Sequence, residues 1–340
     1  MVNTSGLEFI SEEDARELII REGKVNQDVS AIRNPEGFAN HLISTGKNNY
    51  QVAQVILERN PTLGQHHISP EVLRIAGYMH DFGKMGYGVK ELGLDYAEDW
   101  HSLTSALAVL EQGDEWGIVR GGFLLQRYQF LQQVARCIPS DLTTLEEGGP
   151  NFPETAKYKI TPKFVSEVDF LNLKLSAPID SLTPPTGPLS FQQLTTPKTL
   201  EQKIAVWGDL VNLEGEQISV EDRFAEIVKR RGEYAEKAKV AGKQAETKYH
   251  TEHAKIIASP EFRARIFPVI EFIDQLAGRT EPEKWLNCQL EMAKGDTENF
   301  EYHVRLPEGF EHNPTIKSDG RSFRDGEWLP HRQGNWSKPD

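Results

Sequence analysis

A histidine and an aspartate stand side by side in this sequence, after an apolar stretch and just before a glycine and a lysine. They are His80 and Asp81, followed by Gly83 and Lys84. An imidazole nitrogen and a carboxylate oxygen are both good ligands for divalent metal ions. Neighbours on a helix point about 100° apart, so the pair can grip one ion only where the helix bends or ends. We expect Gly83 to end the helix in a left-handed conformation, and Lys84 to meet a metal-bound phosphate.

The helix that must position this pair is predicted to begin at Ser69, which can cap it, with Pro70 in its first turn. Residues at helical spacing predict its buried face, namely Leu73, Ala76, Gly77 and His80. His80 is therefore expected to point inward from the end of an apolar stripe, as a metal ligand must. The alternative is an ordinary core histidine next to a capping aspartate.

The string from His80 to Lys84 resembles the HD superfamily of metal-dependent phosphohydrolases, in its His-Asp-x-Gly-Lys variant. The signature of that superfamily is His…His-Asp…Asp, in which an earlier histidine, the adjacent pair and a distant aspartate hold the metal. The resemblance implies an all-α, HD-domain helical bundle with one or two divalent ions, for which Mn²⁺, Fe, Co and Mg²⁺ are candidates. It also implies hydrolysis of a phosphomonoester or phosphodiester, with a nucleotide as the expected substrate.

The resemblance places the distant aspartate near the end of a later helix, where Asp141 follows Pro139. Asp141 is therefore an expected metal ligand, and a turn residue is the alternative. For the first histidine two options stay open. Residues 50–53 resemble the stretch that follows it, which would put Asn48 or Asn49 in its place; His41 is the other candidate. An asparagine oxygen suits Mg²⁺ or Mn²⁺ better than softer metals.

His101 begins the next predicted helix and resembles a histidine that serves a second metal or the substrate phosphate in this variant. Asp81 would then lie between two ions. A residue at a helix start is the alternative for His101, and a structural ion pair is the alternative for Lys84. The predicted catalytic residues are thus Asp81, Lys84 and His101. The predicted metal ligands are His41, His80, Asp81, His101 and Asp141.

A second stretch also resembles the superfamily, residues 202–209 together with 218–224. From it we expect Asp209 and Arg223 to be polar supports rather than ligands. His250 and His253, at i and i+3, are expected on a solvated helix face. The resemblance covers roughly residues 10–142 and 198–235.

Composition bounds the remaining possibilities. Only 38% of the 340 residues are hydrophobic, the mean hydropathy is −0.52, and no apolar run is long enough to span a membrane. The first residues lack the layout of a signal peptide, and two distant cysteines make no disulfide framework. A cytoplasmic protein with no membrane partner is therefore expected.

The net charge of −13 argues against nucleic acid as the partner, since that affinity depends on neutralising phosphates. A small phosphorylated molecule remains compatible with this charge, because bound metal ions invert the local field. No oligomeric state is predicted.

The pattern of caps, breakers and apolar stripes predicts helices and no series of strands. Besides Ser69, the predicted caps are Ser259 and a capping box of Thr199 with Gln202. Residues 1–142 are predicted to form the HD-domain core, 143–197 a long irregular insertion, and 198–296 C-terminal helices packing on the core. Residues 297–340 are predicted to be a polar tail, extended or disordered. In detail, the expected helices lie near 11–23, 38–45, 48–60, 69–80, 99–110, 122–138, 199–212, 219–249, 259–273 and 285–292.

Two other functions are compatible with the sequence. A catalytically degenerate HD module would bind a nucleotide or a protein partner without turnover, which Asn48 and Asn49 would explain. Alternatively, the same scaffold would hold two iron ions and act as an oxygenase.

Overall fold

The computed structural model describes residues 4–25, 32, 34–59, 68–87, 101–138, 197, 199–213 and 216–279, with four short strand segments between 301 and 330. Helices dominate this part of the chain, which confirms the all-α prediction. The α-helices are α1 (Glu12–Val25), α2 (Pro35–Arg59), α3 (Pro70–Met79), α4 (His101–Gln112), α5 (Leu124–Cys137), α6 (Leu200–Leu210), α7 (Val220–Val240), α8 (Gln244–Ala258) and α9 (Pro260–Leu276).

Several helix starts are set by local capping, as predicted. The hydroxyl of Ser69 accepts a hydrogen bond from the backbone N–H of Val72 at the start of α3. Thr199 and Gln202 form a reciprocal capping box at the start of α6. The hydroxyl of Ser259 caps α9 in the same way as Ser69. Each cap satisfies backbone N–H groups that have no partner within the helix.

A single helix, α2, replaces the two short helices predicted near Gly46. A Cβ on Gly77 of α3 would lie 2.5 Å from the Cα of Gly46. A Cβ on Gly46 would in turn overlap the carbonyl oxygen of Arg74. Gly46 therefore serves the close crossing of α2 and α3 rather than a helix end, and this contact outweighs its low helix propensity. The crossing brings the first half of α2 beside the end of α3.

Two buried apolar clusters lie on either side of these helices. One contains Leu42 of α2 and Ile75 of α3, with residues of α1, α4 and α5. The other contains Val52 and Ile56 of α2 and Leu73 of α3, with residues of α6, α7 and α9. Helices α2 and α3 thus contribute to both clusters, so their crossing is held from both sides.

The long helix predicted across residues 219–249 is instead a hairpin of α7 and α8. Helix α7 ends at Val240, and Gly242 turns the chain with a φ of 72°. That left-handed conformation costs a glycine little. The α8 helix then returns along α7.

Strands are short in the described residues. The first pair is β1 (Leu7–Phe9) with β2 (Val119–Gly121), and the second is β3 (Asn212–Leu213) with β4 (Glu216–Gln217); both are antiparallel. Within the region predicted as a polar tail, four strands form one antiparallel sheet in chain order: β5 (Glu301–His303), β6 (Thr315–Lys317), β7 (Arg321–Arg324) and β8 (Glu327–Pro330). These four strands differ from the prediction, which expected no series of strands.

Three predictions concern residues that lie outside the described part: the insertion up to residue 196, the helix near 285–292, and the site residue Asp141. Among the helices that the structure describes, none combines the length and the apolar character that a bilayer crossing requires.

Candidate metal site

Three side chains from three different helices converge at the crossing of α2 and α3. The donor atoms of His41, His80 and Asp209 all lie within 4.8 Å of one another. Oδ1 of Asp209 is 3.2 Å from Nε2 of His41 and 3.5 Å from Nε2 of His80. Two imidazoles and a carboxylate suit Zn²⁺, Fe, Mn²⁺ or Co²⁺. These residues, called the metal cluster below, could hold a metal ion.

His80 is oriented by the helix that precedes it. It follows the last residue of α3, and its Nδ1 lies 2.8 Å from the carbonyl oxygen of Gly77. A ring nitrogen in that position donates its proton to the carbonyl, which leaves the Nε2 lone pair facing Asp209. The side chain is buried, as the sequence predicted.

His41, one of the candidates that the sequence left open for the first histidine, lies in the metal cluster. Its helical turn is held by Asn212, whose amide donates to the carbonyl oxygen of His41 at 3.1 Å and to Ser44 Oγ at 2.7 Å. The amide also lies 2.8 Å from Thr45 Oγ1. Burial lowers the pKa of His41, against the raising effect of Asp209, so the ring is neutral and able to act as a ligand.

Asn49, the rival for that position, has a structural role instead. Its side chain is fully buried and donates to the carbonyl oxygen of Leu73 at 3.3 Å. A Cβ on Gly208 would overlap its side-chain oxygen, so α6 packs directly on this asparagine. This contact fixes the position of α6 along α2, so that the residue after Gly208, Asp209, faces His41.

Asp209 was expected to be a polar support, and its membership of the metal cluster was missed. Burial alone would raise its pKa, but the neighbouring imidazoles of His41 and His80 lower it well below its ordinary value. The carboxylate is therefore ionised and ready to bind a cation. The sequence held one signal for it, the resemblance of residues 202–209 to a late segment of the HD superfamily.

Asp81 lies between the metal cluster and a third histidine. Its Oδ2 is 3.7 Å from Nε2 of His80 and 3.9 Å from Nε2 of His41. Its Oδ1 is 3.0 Å from Nε2 of His101, a fully buried ring. Lys84 forms a 2.6 Å ion pair with Oδ2 of Asp81. Lys84 was predicted to contact a phosphate or to form a structural ion pair. Both roles are compatible with this geometry, since Lys84 also lines the cavity described below.

The net effect on Asp81 is a firmly ionised carboxylate. Burial would raise its pKa, but Lys84 and then His80 and His101 together hold it well below its ordinary value. Because Asp81 has one oxygen toward His101 and the other toward His41 and His80, its geometry is that of a carboxylate able to bridge two ions.

The role of Gly83 differs from the prediction. It lies in a 3₁₀ turn (Phe82–Met85), and the left-handed residue is Gly86, with a φ of 90°. A Cβ on Gly83 would overlap Thr104 and the carbonyl of His101. Its N–H donates to Ser105 Oγ at 2.7 Å. Gly83 therefore brings the turn onto the start of α4, which places His101 beside Asp81.

A cavity of about 570 Å³ opens from the metal cluster. His41, Asp81, Lys84 and Asp209 line one end, and Arg223 enters there from α7, with its guanidinium 3.9 Å from Oδ1 of Asp209. The α7–α8 hairpin lines most of the rest, together with the start of α2. An anionic ligand in the cavity would meet metal ligands and two cations at the same end.

His250 and His253 depart from their predicted position on a solvated face. Both are buried, at 3% and 6% exposure, and both line the cavity. Burial and the positive charge of Arg231 lower the pKa of His253 well below its ordinary value. The i, i+3 spacing was read correctly as one helix face, but the hairpin turns that face inward.

Comparison with known proteins gives no family assignment. No protein-family model, no curated protein and no solved structure matches the chain.

Proposed function

We propose that the chain is a metal-dependent phosphohydrolase of the HD type. The observation that carries the proposal is the metal cluster itself, in which His41, His80 and Asp209 converge within 4.8 Å beside Asp81. On an octahedral ion such as Mn²⁺ or Fe²⁺, ligands of this kind would leave coordination positions open for water and substrate.

The order of these residues along the chain supports the proposal. The HD signature His…His-Asp…Asp is matched by His41, the pair His80 and Asp81, and Asp209. The proposal therefore gives Asp209 the role of the distant aspartate, for which the sequence favoured Asp141. The alternative of a catalytically degenerate module was based on an asparagine in place of the first histidine. It is less favoured, because His41 supplies an imidazole to the metal cluster and Asn49 packs between helices.

A divalent ion in this cluster would lower the pKa of a bound water and polarise a phosphoryl oxygen. The surrounding residues then have separate tasks. Lys84 and Arg223, both at the cavity end next to the carboxylates, would neutralise the remaining phosphate charge. His101 fixes Asp81 through the 3.0 Å contact between its Nε2 and Oδ1 of Asp81. The same contact is short enough for a proton to pass between the two side chains.

The test is the substitution Asp209→Asn, which keeps the size of the side chain and removes its charge. Mn²⁺ affinity by calorimetry is expected to fall more than about 100-fold, and hydrolysis of p-nitrophenyl phosphate and bis(p-nitrophenyl) phosphate is expected to fall with it. Asp114→Asn is the matched control, since Asp114 is an exposed aspartate paired with Arg127. Unchanged metal affinity and turnover in Asp209→Asn would exclude this function.

The bridging position of Asp81 specifically favours a second candidate, a di-iron centre that carries out redox chemistry. Its two oxygens face different histidines, as a shared ligand of two ions requires. Iron content near two equivalents together with oxygen uptake would favour this candidate, whereas turnover of phosphate esters without oxygen uptake would favour the hydrolase.

A further inference from the structure

The cavity is basic although the chain as a whole is acidic. Its net charge is −13, yet the described residues that line the cavity include more lysines and arginines than carboxylates. The described lining has four carboxylates, and two of them, Asp81 and Asp209, lie at the metal end of the cavity. The cations are Lys84, Arg223, Arg230, Arg231, Lys237 and Lys243. A bound divalent ion would raise the positive charge further.

Most of these cations form a row that leads away from the metal cluster. Along α7 they recur at residues 223, 230, 231 and 237, spacings that bring them to one side of a helix. With a rise of about 1.5 Å per residue, the row extends about 21 Å from Arg223 to Lys237. Lys243, at the turn into α8, continues it. We refer to Arg230, Arg231, Lys237 and Lys243 as the cationic wall.

Arg231 is the most buried member of the wall, with 5% exposure. Its guanidinium lies 3.1 Å from Nδ1 of His250 and stacks 5.5 Å from the ring centroid of Tyr249. These contacts hold the group in a fixed orientation. A desolvated, oriented guanidinium interacts strongly with a phosphate, because little freedom is lost on binding.

Other cations of the cavity have carboxylate partners close to them in sequence. Glu226 pairs with Arg223 at 2.9 Å and with Arg230 at 3.2 Å, and Glu246 pairs with Lys243 at 2.6 Å. These pairs are partly exposed, so an incoming anion can compete for the cations. The lowered pKa of His253, which Arg231 and Lys84 help to depress after burial, is consistent with a positive potential in this part of the cavity.

We propose that the cationic wall binds a second phosphate group of the substrate, remote from the one held at the metal. The substrate class is then a small molecule with at least two phosphate groups, such as a nucleoside polyphosphate or bisphosphate. The assignment rests on the proposed function for its orientation, with the reactive phosphate at the metal cluster. The volume of about 570 Å³ is that of a small-molecule site, which favours such a ligand over a nucleic-acid strand.

The experiment measures binding rather than turnover. Inorganic tripolyphosphate and inorganic phosphate are titrated into the metal-free protein and three variants by calorimetry at low salt. The double variant Arg230→Gln with Lys237→Gln removes two wall charges. The control, Lys229→Gln with Lys239→Gln, removes two charges from exposed positions of the same helix that do not line the cavity. The third variant is Asp209→Asn, altered only at the metal end.

Tripolyphosphate affinity is expected to fall at least about tenfold in the wall variant and to stay within about twofold of the parent in the control. Asp209→Asn is expected to retain tripolyphosphate binding. Equal affinities of the wall variant and the control, or no binding by the parent, would overturn the inference. Tighter binding of a single-stranded oligonucleotide than of tripolyphosphate would also overturn it.

Failure of the proposed function has a different signature. If metal-loaded protein hydrolyses no phosphate ester but the wall variant still loses tripolyphosphate affinity, the hydrolase proposal fails and the two-phosphate ligand stands. If hydrolysis is found, the wall variant is expected to raise KM for a nucleoside triphosphate about tenfold while leaving KM for p-nitrophenyl phosphate unchanged. An unchanged KM for the triphosphate would contradict the inference on its own.

Discussion

The two ends of the cavity are built in different ways. At the metal end, the donors are positioned by helix contacts so close that only glycine fits. Gly77 lies against the backbone of Gly46, and Gly208 lies against the side chain of Asn49. At the other end, the cationic wall lies on a hairpin whose outer face is solvated and whose ion pairs are partly exposed. The metal end therefore holds short His and Asp side chains in fixed positions. The other end presents long Arg and Lys side chains that can adjust.

This difference matches what each end would have to recognise. A metal ion requires its ligands at about 2 Å with defined angles, so small shifts of a helix are costly. A phosphate attracts cations over several ångströms and accepts several geometries, so spacing along one helix face is enough. Substitutions at the metal end should therefore act through position, and those at the wall through charge.

The largest expected effect is at the metal end. His41→Ala removes one imidazole of the metal cluster and is expected to lower Mn²⁺ affinity more than about 100-fold. His250→Gln, at the wall, is the matched control and is expected to leave Mn²⁺ affinity within about threefold. Calorimetric titration of both variants measures the contrast. Similar losses in the two would mean that the ends of the cavity do not act separately.

Gly77→Ala should expose the positional constraint directly. The new Cβ would meet the backbone of Gly46, which cannot move aside, so α2 and α3 must separate. We expect the free energy of unfolding to fall by about 2 kcal/mol or more, with weaker Mn²⁺ binding. Gly232→Ala on α7 is the control, because nothing lies within 4 Å of the added Cβ. It should raise stability by about 0.5–1 kcal/mol, and urea unfolding of both variants checks the opposite signs.

The same contrast explains which features were readable from the sequence. The caps at Ser69, Thr199 and Ser259 depend on residues three apart, and all three were predicted. The fold class likewise followed from local periodicity. The interruption at Gly46 and the uninterrupted helix through Gly242 were wrong, because tertiary contact decides whether a glycine ends a helix or allows a crossing.

Site residues divide along similar lines. The pair His80 and Asp81 was predicted from its local string, and His101 from the resemblance of its segment to the same superfamily. Asp209 was missed as a ligand, because its approach to His41 depends on how α6 packs on Asn49, about 160 residues away in sequence. Asp141, outside the described residues, stays a prediction.

Acid should weaken the fold through one histidine at each end. Burial is the main cause that lowers the pKa of both His41 and His253 below the ordinary value of 6.5. The unfolded chain then binds protons that the folded protein does not. Stability is therefore fully present above pH 6.5 and falls as the pH drops toward the folded-state pKa values, by at most about 1.4 kcal/mol per pH unit for each group.

Urea unfolding of the metal-free protein between pH 7 and pH 5 measures this slope. His253→Gln should remove the contribution of His253 and leave that of His41. The slope should therefore fall by at least about half, because the pKa of His253 is lowered further than that of His41. Asp81 and Asp209, whose pKa values are lowered from 3.8, contribute with the same sign only at more acidic pH. An unaltered slope in His253→Gln would show that this histidine is not held neutral by its surroundings.

The smallest expected effect tests the hairpin that carries the wall. Gly242 has a φ of 72° and open space around its missing Cβ, so only the backbone conformation opposes a side chain. Gly242→Ala should cost about 1 kcal/mol, and Gly242→Asn less, because asparagine tolerates the left-handed region better. Both variants should keep tripolyphosphate affinity close to that of the parent, because Lys243 can readjust its long side chain after a small shift of the turn. A large loss of that affinity would mean that the wall depends on exact backbone position as the metal cluster does, and the distinction between the two ends would fail.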